Sequence, residues 1–203
     1  TGKAKNLGLQ HCSYEIVCIV DTDDICVENR FELQLDYFKN HPEITILGGQ
    51  IIEFNENINN PSGSRHVPEE HDALVKYAQK QSPFNNMTIA YKKEHIVNVG
   101  GYQHHLWMED YNLFLRLIAA NYKLHNLNDI LVYARVDNGM HGRRKGLAYI
   151  KSEFQLMKTK INLQLQNPLQ AFIIFFLRSS VRLLPSKMLA SIYNVFLRKK
   201  VTK

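Results

Sequence analysis

Glu15-Ile16-Val17-Cys18-Ile19-Val20-Asp21-Thr22-Asp23-Asp24 is the stretch on which the fold of this chain turns. Residues 16–20 are apolar without interruption and mostly β-branched, the composition of a buried strand, and the run stops abruptly at Asp21. An unpaired carboxylate is too costly to bury, so the acidic residues are placed at the carboxyl end of that strand. Three carboxylates in four residues repel one another unless a cation gathers them. Hard oxygen ligands suit Mg2+ or Mn2+, which keep several waters and take one or two protein carboxylates alongside substrate phosphates. A solvated turn with Asp24 as a helix cap explains one aspartate easily and three poorly.

Working outward, residues 3–12 read as a helix, and Phe31, Leu35 and Phe38 recur at helical spacing until His41-Pro42 ends the second one. Ile44 to Phe54 is a second strand. Asn55 to Pro68 is rich in Asn, Gly, Ser and Pro and reads as a long loop, of the kind that is often functional. A short helix with Leu74, Tyr77 and Ala78 on one face follows, then a strand at Met87 to Tyr91 and a turn at Gly100-Gly101. Glu109 to Tyr122 is an amphipathic helix with paired rows Leu113/Leu117 and Phe114/Ile118, and Ile130 to Tyr133 closes the series as a strand. Strands alternating with helices predict an α/β domain with a largely parallel sheet, whose chemistry gathers at the carboxyl ends of the strands.

With 203 residues, 45% of them apolar, the chain is long enough for one sizeable core and an appendage. Three cysteines, an odd number without CxxC spacing, exclude a disulfide-stapled scaffold and point to a reducing compartment. The opening Thr1 to Asn6 enters a helix with no strand before it, so an upstream part of the domain is expected.

Charge divides the chain in two. Residues 1–140 carry 12 Lys and Arg against 18 Asp and Glu, whereas 141–203 carry 13 against the single Glu153. After residue 145 the pattern is helical only. Leu147, Ile150, Phe154, Met157, Ile161 and Leu165 form one stripe able to pack on the domain, and the run Phe172 to Leu177 is followed by Arg178 and Arg182. These segments fall short of the roughly 20 apolar residues that cross a bilayer. Lying in the interface, apolar face down and cations toward anionic headgroups, satisfies both halves of the composition. Burial against a partner, or a basic module that binds nucleic acid, are the competing readings.

A second acidic pair, Glu109-Asp110, stands after Trp107-Met108 at the start of the amphipathic helix, where the helix dipole helps keep an acid ionised. Such a carboxylate is a candidate base; dipole complementation alone is the simpler alternative. His104, His105 and Glu109 lack the spacing of a zinc motif.

Taken together, Ala4-Lys5-Asn6-Leu7-Gly8, the DxD-like Asp21-Thr22-Asp23-Asp24, the ED-like Trp107 to Asp110 and the basic Met140 to Gly146 resemble, in this order, the inverting GT-A glycosyltransferases of family 2. The likeness is strongest to bacterial enzymes that assemble lipopolysaccharide O-antigen or exopolysaccharide. It implies a GT-A catalytic domain over 1–142, lacking its first strands, and a basic amphipathic helical tail over 143–203. By the same resemblance, Asp21 lies by the nucleoside of a nucleotide-sugar, a UDP-sugar, and Asp23 holds the Mn2+ or Mg2+ that bridges the diphosphate. Lys5 helps hold the donor or the aspartates, Arg143 and Arg144 close over the donor's diphosphate, Trp107 and Glu109 meet a lipid-linked or saccharide acceptor, and Asp110 is the base. A cytoplasmic enzyme, peripheral on the inner face of the cell membrane and without a nucleic-acid partner, is the expectation. A haloacid-dehalogenase-like phosphatase would also use Asp21 and Asp23, but its motif continues with Gly-Thr where this chain has Asp24-Ile25.

Overall fold

The computed structural model describes residues 2–136 and 146–182. Helix α1 (Gly2–His11) leads to β1 (Ile16–Cys18), β2 (Ile25–Cys26) and α2 (Arg30–Asn40). β3 (Ile44–Phe54) turns into β4 (Pro61–Arg65), then come α3 (His71–Ala78), a 3-10 turn at Asn86–Thr88, β5 (Ala90–Lys92) and α4 (Lys93–Asn98). α5 (Glu109–Ala119) and β6 (Lys123–Arg135) complete the sheet, and α6 (Leu147–Asn162) and α7 (Pro168–Val181) follow.

The sheet runs β1-β5-β3-β6-β2, with β4 added to β3. The α/β class holds, a mixed sheet flanked by helices, but the expected largely parallel sheet is corrected. Among the described strands β3 and β6 pair in parallel, from Ile44 opposite Lys123 to Phe54 opposite Arg135, and the other pairings are antiparallel. The reason is the stretch read as a long loop. Its Asn57 to Asn60 turn, closed by a 3.0 Å backbone bond, returns the chain as the hairpin strand β4. A short connection of this kind permits only an antiparallel partner. The crossover through α3 then delivers β5 reversed, between β1 and β3, which themselves point the same way as β6.

β3 sorts the core by alternation: Ile46 joins Leu74, Phe84, Phe114 and Leu124 on one face, while Leu47 and Ile51 join Phe38, Leu131 and Val132 on the other. Two helices turn to this core a face that periodicity picked only in part. On α2 the buried residues are Arg30, Gln34 and Phe38, with Phe31 and Leu35 exposed. Gln34 lies inward because its amide satisfies the Leu47 and Thr88 carbonyls at 3.2 and 2.8 Å.

On α6 the buried face is likewise rotated away from the predicted stripe, although Leu165, just past the helix, packs against the core. The buried face is Tyr149, Ser152, Glu153, Leu156 and Lys160, and Leu147 is 80% exposed. Its partners explain the rotation: Lys160 donates to the Gln79 carbonyl at 2.7 Å, and Glu153 accepts Arg178 from α7 through bonds of 2.7 and 2.8 Å. Arg178 and Arg182, expected to reach headgroups, are therefore turned inward to Glu153. Among the described residues no helix is long and apolar enough to cross a membrane.

Candidate active site

The acidic loop begins where β1 lets go of the sheet. The Ile19 N–H still reaches the Ile89 carbonyl at 2.9 Å, and two residues on the chain turns, with Asp24 N–H donating to the Asp21 carbonyl at 3.2 Å. Two arginines hold the turn. Arg30, wholly buried, donates to the Ile19 carbonyl (2.8 Å), Gln34 Oε1 (3.2 Å) and Cys26 Sγ (3.1 Å). Arg135, ending β6, gives its backbone N–H to Asp24 Oδ1 at 2.8 Å and its side chain to the Asp23 and Asn55 carbonyls. Asp24 is thereby committed to structure, while Asp21 is half-buried and Asp23 exposed.

Burial pushes the Asp24 carboxyl above its usual range, and the charges of Asp23 and Asp21 add to the push against the Arg135 bond. That crowding of like charge is what a cation relieves. Among the described residues no three acidic, His or Cys side chains form a closed metal site. Asp23, the exposed carboxylate of the turn, is the residue that could contribute to an open cation site.

Across the site, α1 meets the start of α5. Lys5 Nζ lies 2.5 Å from Asp110 Oδ1, with each side chain about three-quarters buried. Asn6 fixes this approach: its amide donates to the Tyr102 carbonyl at 2.8 Å and accepts the Tyr102 N–H at 2.7 Å. Gly101 permits the contact, because it sits at φ +62° and a Cβ there would stand 2.6 Å from Asn6 Oδ1. Lys5 and Asn6 of the same motif thus do different work, one on the carboxylate and one on the loop. Burial raises the Asp110 pKa, Lys5 opposes it, and the charges of Glu109 and Asp21 raise it further. Asp21 and Asp110 therefore share one electrostatic neighbourhood, although 89 residues separate them in the sequence.

Trp107 is 44% exposed and takes φ +60°, a backbone conformation that costs an L-residue about 1–3 kcal/mol unless its surroundings compensate. Glu109 opens α5, half-buried beside it. His105 is buried, with Nε2 bonded to the Ser152 carbonyl at 2.9 Å, a structural duty. Arg143 and Arg144 lie outside the described residues. Arg30 and Arg135 were not singled out from the sequence; Arg135 closes a strand at its carboxyl end, where that rule alone could have found it. Nothing local marks Arg30.

A mixed sheet flanked by helices is the architecture of a GT-A glycosyltransferase domain, and that is the class of this fold. The mannosyltransferase PcManGT from Pyrobaculum calidifontis, solved in complex with GDP-Man and Mn2+, shares the fold: the TM-score is 0.57 at 15% identity, over 96% of this chain and 59% of that one. Residues 1–106 match glycosyl transferase family 2. An uncharacterized glycosyltransferase of Haemophilus influenzae is 48% identical over 198 residues, 98% of this chain and 73% of that protein. The amylovoran biosynthesis glycosyltransferase AmsE of Erwinia amylovora is 38% identical over 95% of this chain and 72% of its own length. The UDP-Gal:alpha-D-GlcNAc-diphosphoundecaprenol beta-1,3-galactosyltransferase of Escherichia coli is 34% identical over 98% and 72%. The chain belongs to glycosyl transferase family 2.

Proposed function

We propose that the protein is a metal-dependent, inverting glycosyltransferase of O-antigen or exopolysaccharide synthesis, moving a sugar from a UDP-sugar to a lipid-linked or saccharide acceptor. The observation that carries this reading is the Lys5–Asp110 pair within electrostatic reach of Asp21. A base for the incoming hydroxyl and carboxylates for the outgoing diphosphate then face one bound donor. The biosynthetic relatives support the choice of pathway, and neither a phosphatase nor a basic binding module is favoured by the family match.

In this reading Lys5 holds Asp110 Oδ1 and leaves Oδ2 for the acceptor hydroxyl. Asp110 takes that proton as the oxygen attacks the anomeric carbon from the face opposite the nucleotide, so one displacement inverts the centre. Burial makes the carboxylate a better base than an exposed one, and Lys5 keeps it from staying protonated. Asp21 lies by the nucleoside and Asp23 by the diphosphate, with Arg143 and Arg144 as further cations for it. Mn2+ or Mg2+ held by Asp23 would neutralise charge on the departing diphosphate. The outer side of α7, where Leu169, Phe172, Ile173, Phe176 and Leu177 are exposed, suits the bilayer in which a lipid-linked acceptor resides, on the inner face of the cell membrane.

The test is transfer by the complete protein against a panel of nucleotide sugars. Asp110→Asn is expected to lower the rate about 10²–10⁴-fold with donor and Mn2+ still bound, and Asp23→Ala to weaken metal-dependent donor binding. Because the Asp110 pKa is raised, the parent's rate should fall with acidification at a higher pH than an ordinary aspartate would give. Full turnover by Asp110→Asn removes the base; retention of anomeric configuration removes the single displacement.

A further inference from the structure

Trp107 stands three residues before the proposed base, on a strained backbone, and helix α6 is what holds it there. Its ring stacks on Tyr149, with centroids 5.4 Å apart and planes 20° from parallel. The residues leading up to it are tied to the same helix. Ser152 Oγ donates to the Leu106 carbonyl at 2.8 Å, His105 bonds the Ser152 carbonyl, and the Gln155 amide donates to the His104 carbonyl at 3.2 Å.

Tyr149 is itself fixed from behind. It is buried, the Arg182 guanidinium lies 4.5 Å from its ring centroid, and Arg182 stands 3.6 Å from Glu153. Arg178 grips Glu153 with two bonds and donates a third to the Lys80 carbonyl just past α3, at 2.7 Å. A row of contacts thus runs from the end of α3 through α7 and α6 to Trp107.

We propose that Tyr149 is a positioning residue for the acceptor: helix α6 sets the height and tilt of the Trp107 ring, and that ring aligns an acceptor sugar so that its hydroxyl meets Asp110. The proposal rests on the reading of Trp107 and Asp110 as acceptor-side residues. The half-exposed indole offers an apolar surface to the C–H face of a pyranose, and the left-handed backbone at Trp107 leaves its direction dependent on what it stacks against. Alignment matters because a displacement of about 1 Å between reacting atoms lowers rates on the order of 10²-fold.

The experiment is steady-state kinetics on the complete protein with Tyr149→Leu and Tyr149→Phe, joined to the fluorescence of Trp107, isolated as the difference between the protein and its Trp107→Phe variant. Tyr149→Leu should raise the acceptor KM about tenfold, leave donor binding unchanged and shift the Trp107 emission, while Tyr149→Phe, which keeps the ring, restores both the KM and the emission. Should Tyr149→Leu fail to fold, Ser152→Ala removes one hydroxyl and should raise the acceptor KM a smaller amount. An unchanged acceptor KM in the folded variant overturns the positioning role and leaves glycosyl transfer standing. A parent protein that binds no nucleotide sugar overturns both.

Discussion

Lys5 and Lys160 carry the same charge and meet opposite environments. Lys5 reaches the Asp110 carboxylate, whereas Lys160 is buried, donates to the Gln79 carbonyl at 2.7 Å and lies over the Tyr111 ring at 4.9 Å. Burial and the nearby Arg178 push the Lys160 pKa down to about 7, against a partial counter-pull from Glu153. The sign of the consequence follows from proton linkage. Between about pH 7 and the ordinary value of 10.5 the unfolded chain holds a proton there that the folded chain has released, so this group makes stability rise with pH across that window. Lys160→Met is expected to flatten that rise by a few kcal/mol at most, on the order of 1.4 per pKa unit. Denaturant melts of both proteins from pH 7 to 9.5 check it; parallel curves would show Lys160 to be ordinarily charged.

Helices α2 and α6 share a design in which long polar side chains take up part of the buried face. Apolar spacing on α2 selected Phe31, Leu35 and Phe38; Phe38 is buried, yet the rest of the inward face is Arg30 and Gln34, which satisfy carbonyls of residues 19, 47 and 88. Those carbonyls lie in the interior of the sheet or at its edge, where leaving one unpaired costs more than a hydrogen bond contributes. Arg30→Met keeps the length and removes three bonds, so a loss of about 2–4 kcal/mol is expected, read as a lowered urea midpoint. Since Arg30 supports the acidic loop through Ile19, the same variant should also weaken donor binding more than acceptor binding. α5 is the contrasting case: its Leu113, Phe114, Leu117 and Ile118 are all buried, and periodicity identified them without help. Pattern reading succeeds where the interior is apolar and fails where a long polar side chain reaches back to the backbone.

At the scale of the whole molecule, α6 and α7 fasten to the domain through Glu153, Arg178 and Lys160 and leave an apolar outer side on α7, with Phe176 64% exposed. The anionic bilayer proposed for that side gives a direct check. Phe172→Glu with Phe176→Glu should reduce co-sedimentation with anionic vesicles at least about tenfold, since each buried aromatic contributes roughly 1.5–3 kcal/mol, and should leave transfer to a short soluble acceptor intact. Equal sedimentation of variant and parent would place the contact elsewhere. The sequence alone determined the strand that ends in aspartates, the apolar helix behind Asp110, the α/β class and the family resemblance, because runs of apolar residues and clustered charges are local facts that the backbone must accommodate wherever it goes. Only the tertiary structure decided the reversed β5, the polar part of the buried faces of α2 and α6, the clasp of Arg135 on the acidic loop and the seat of Trp107 on Tyr149. Each of these joins residues far apart in the chain through a directional hydrogen bond or ring contact, and the choice of partner is made when the elements pack.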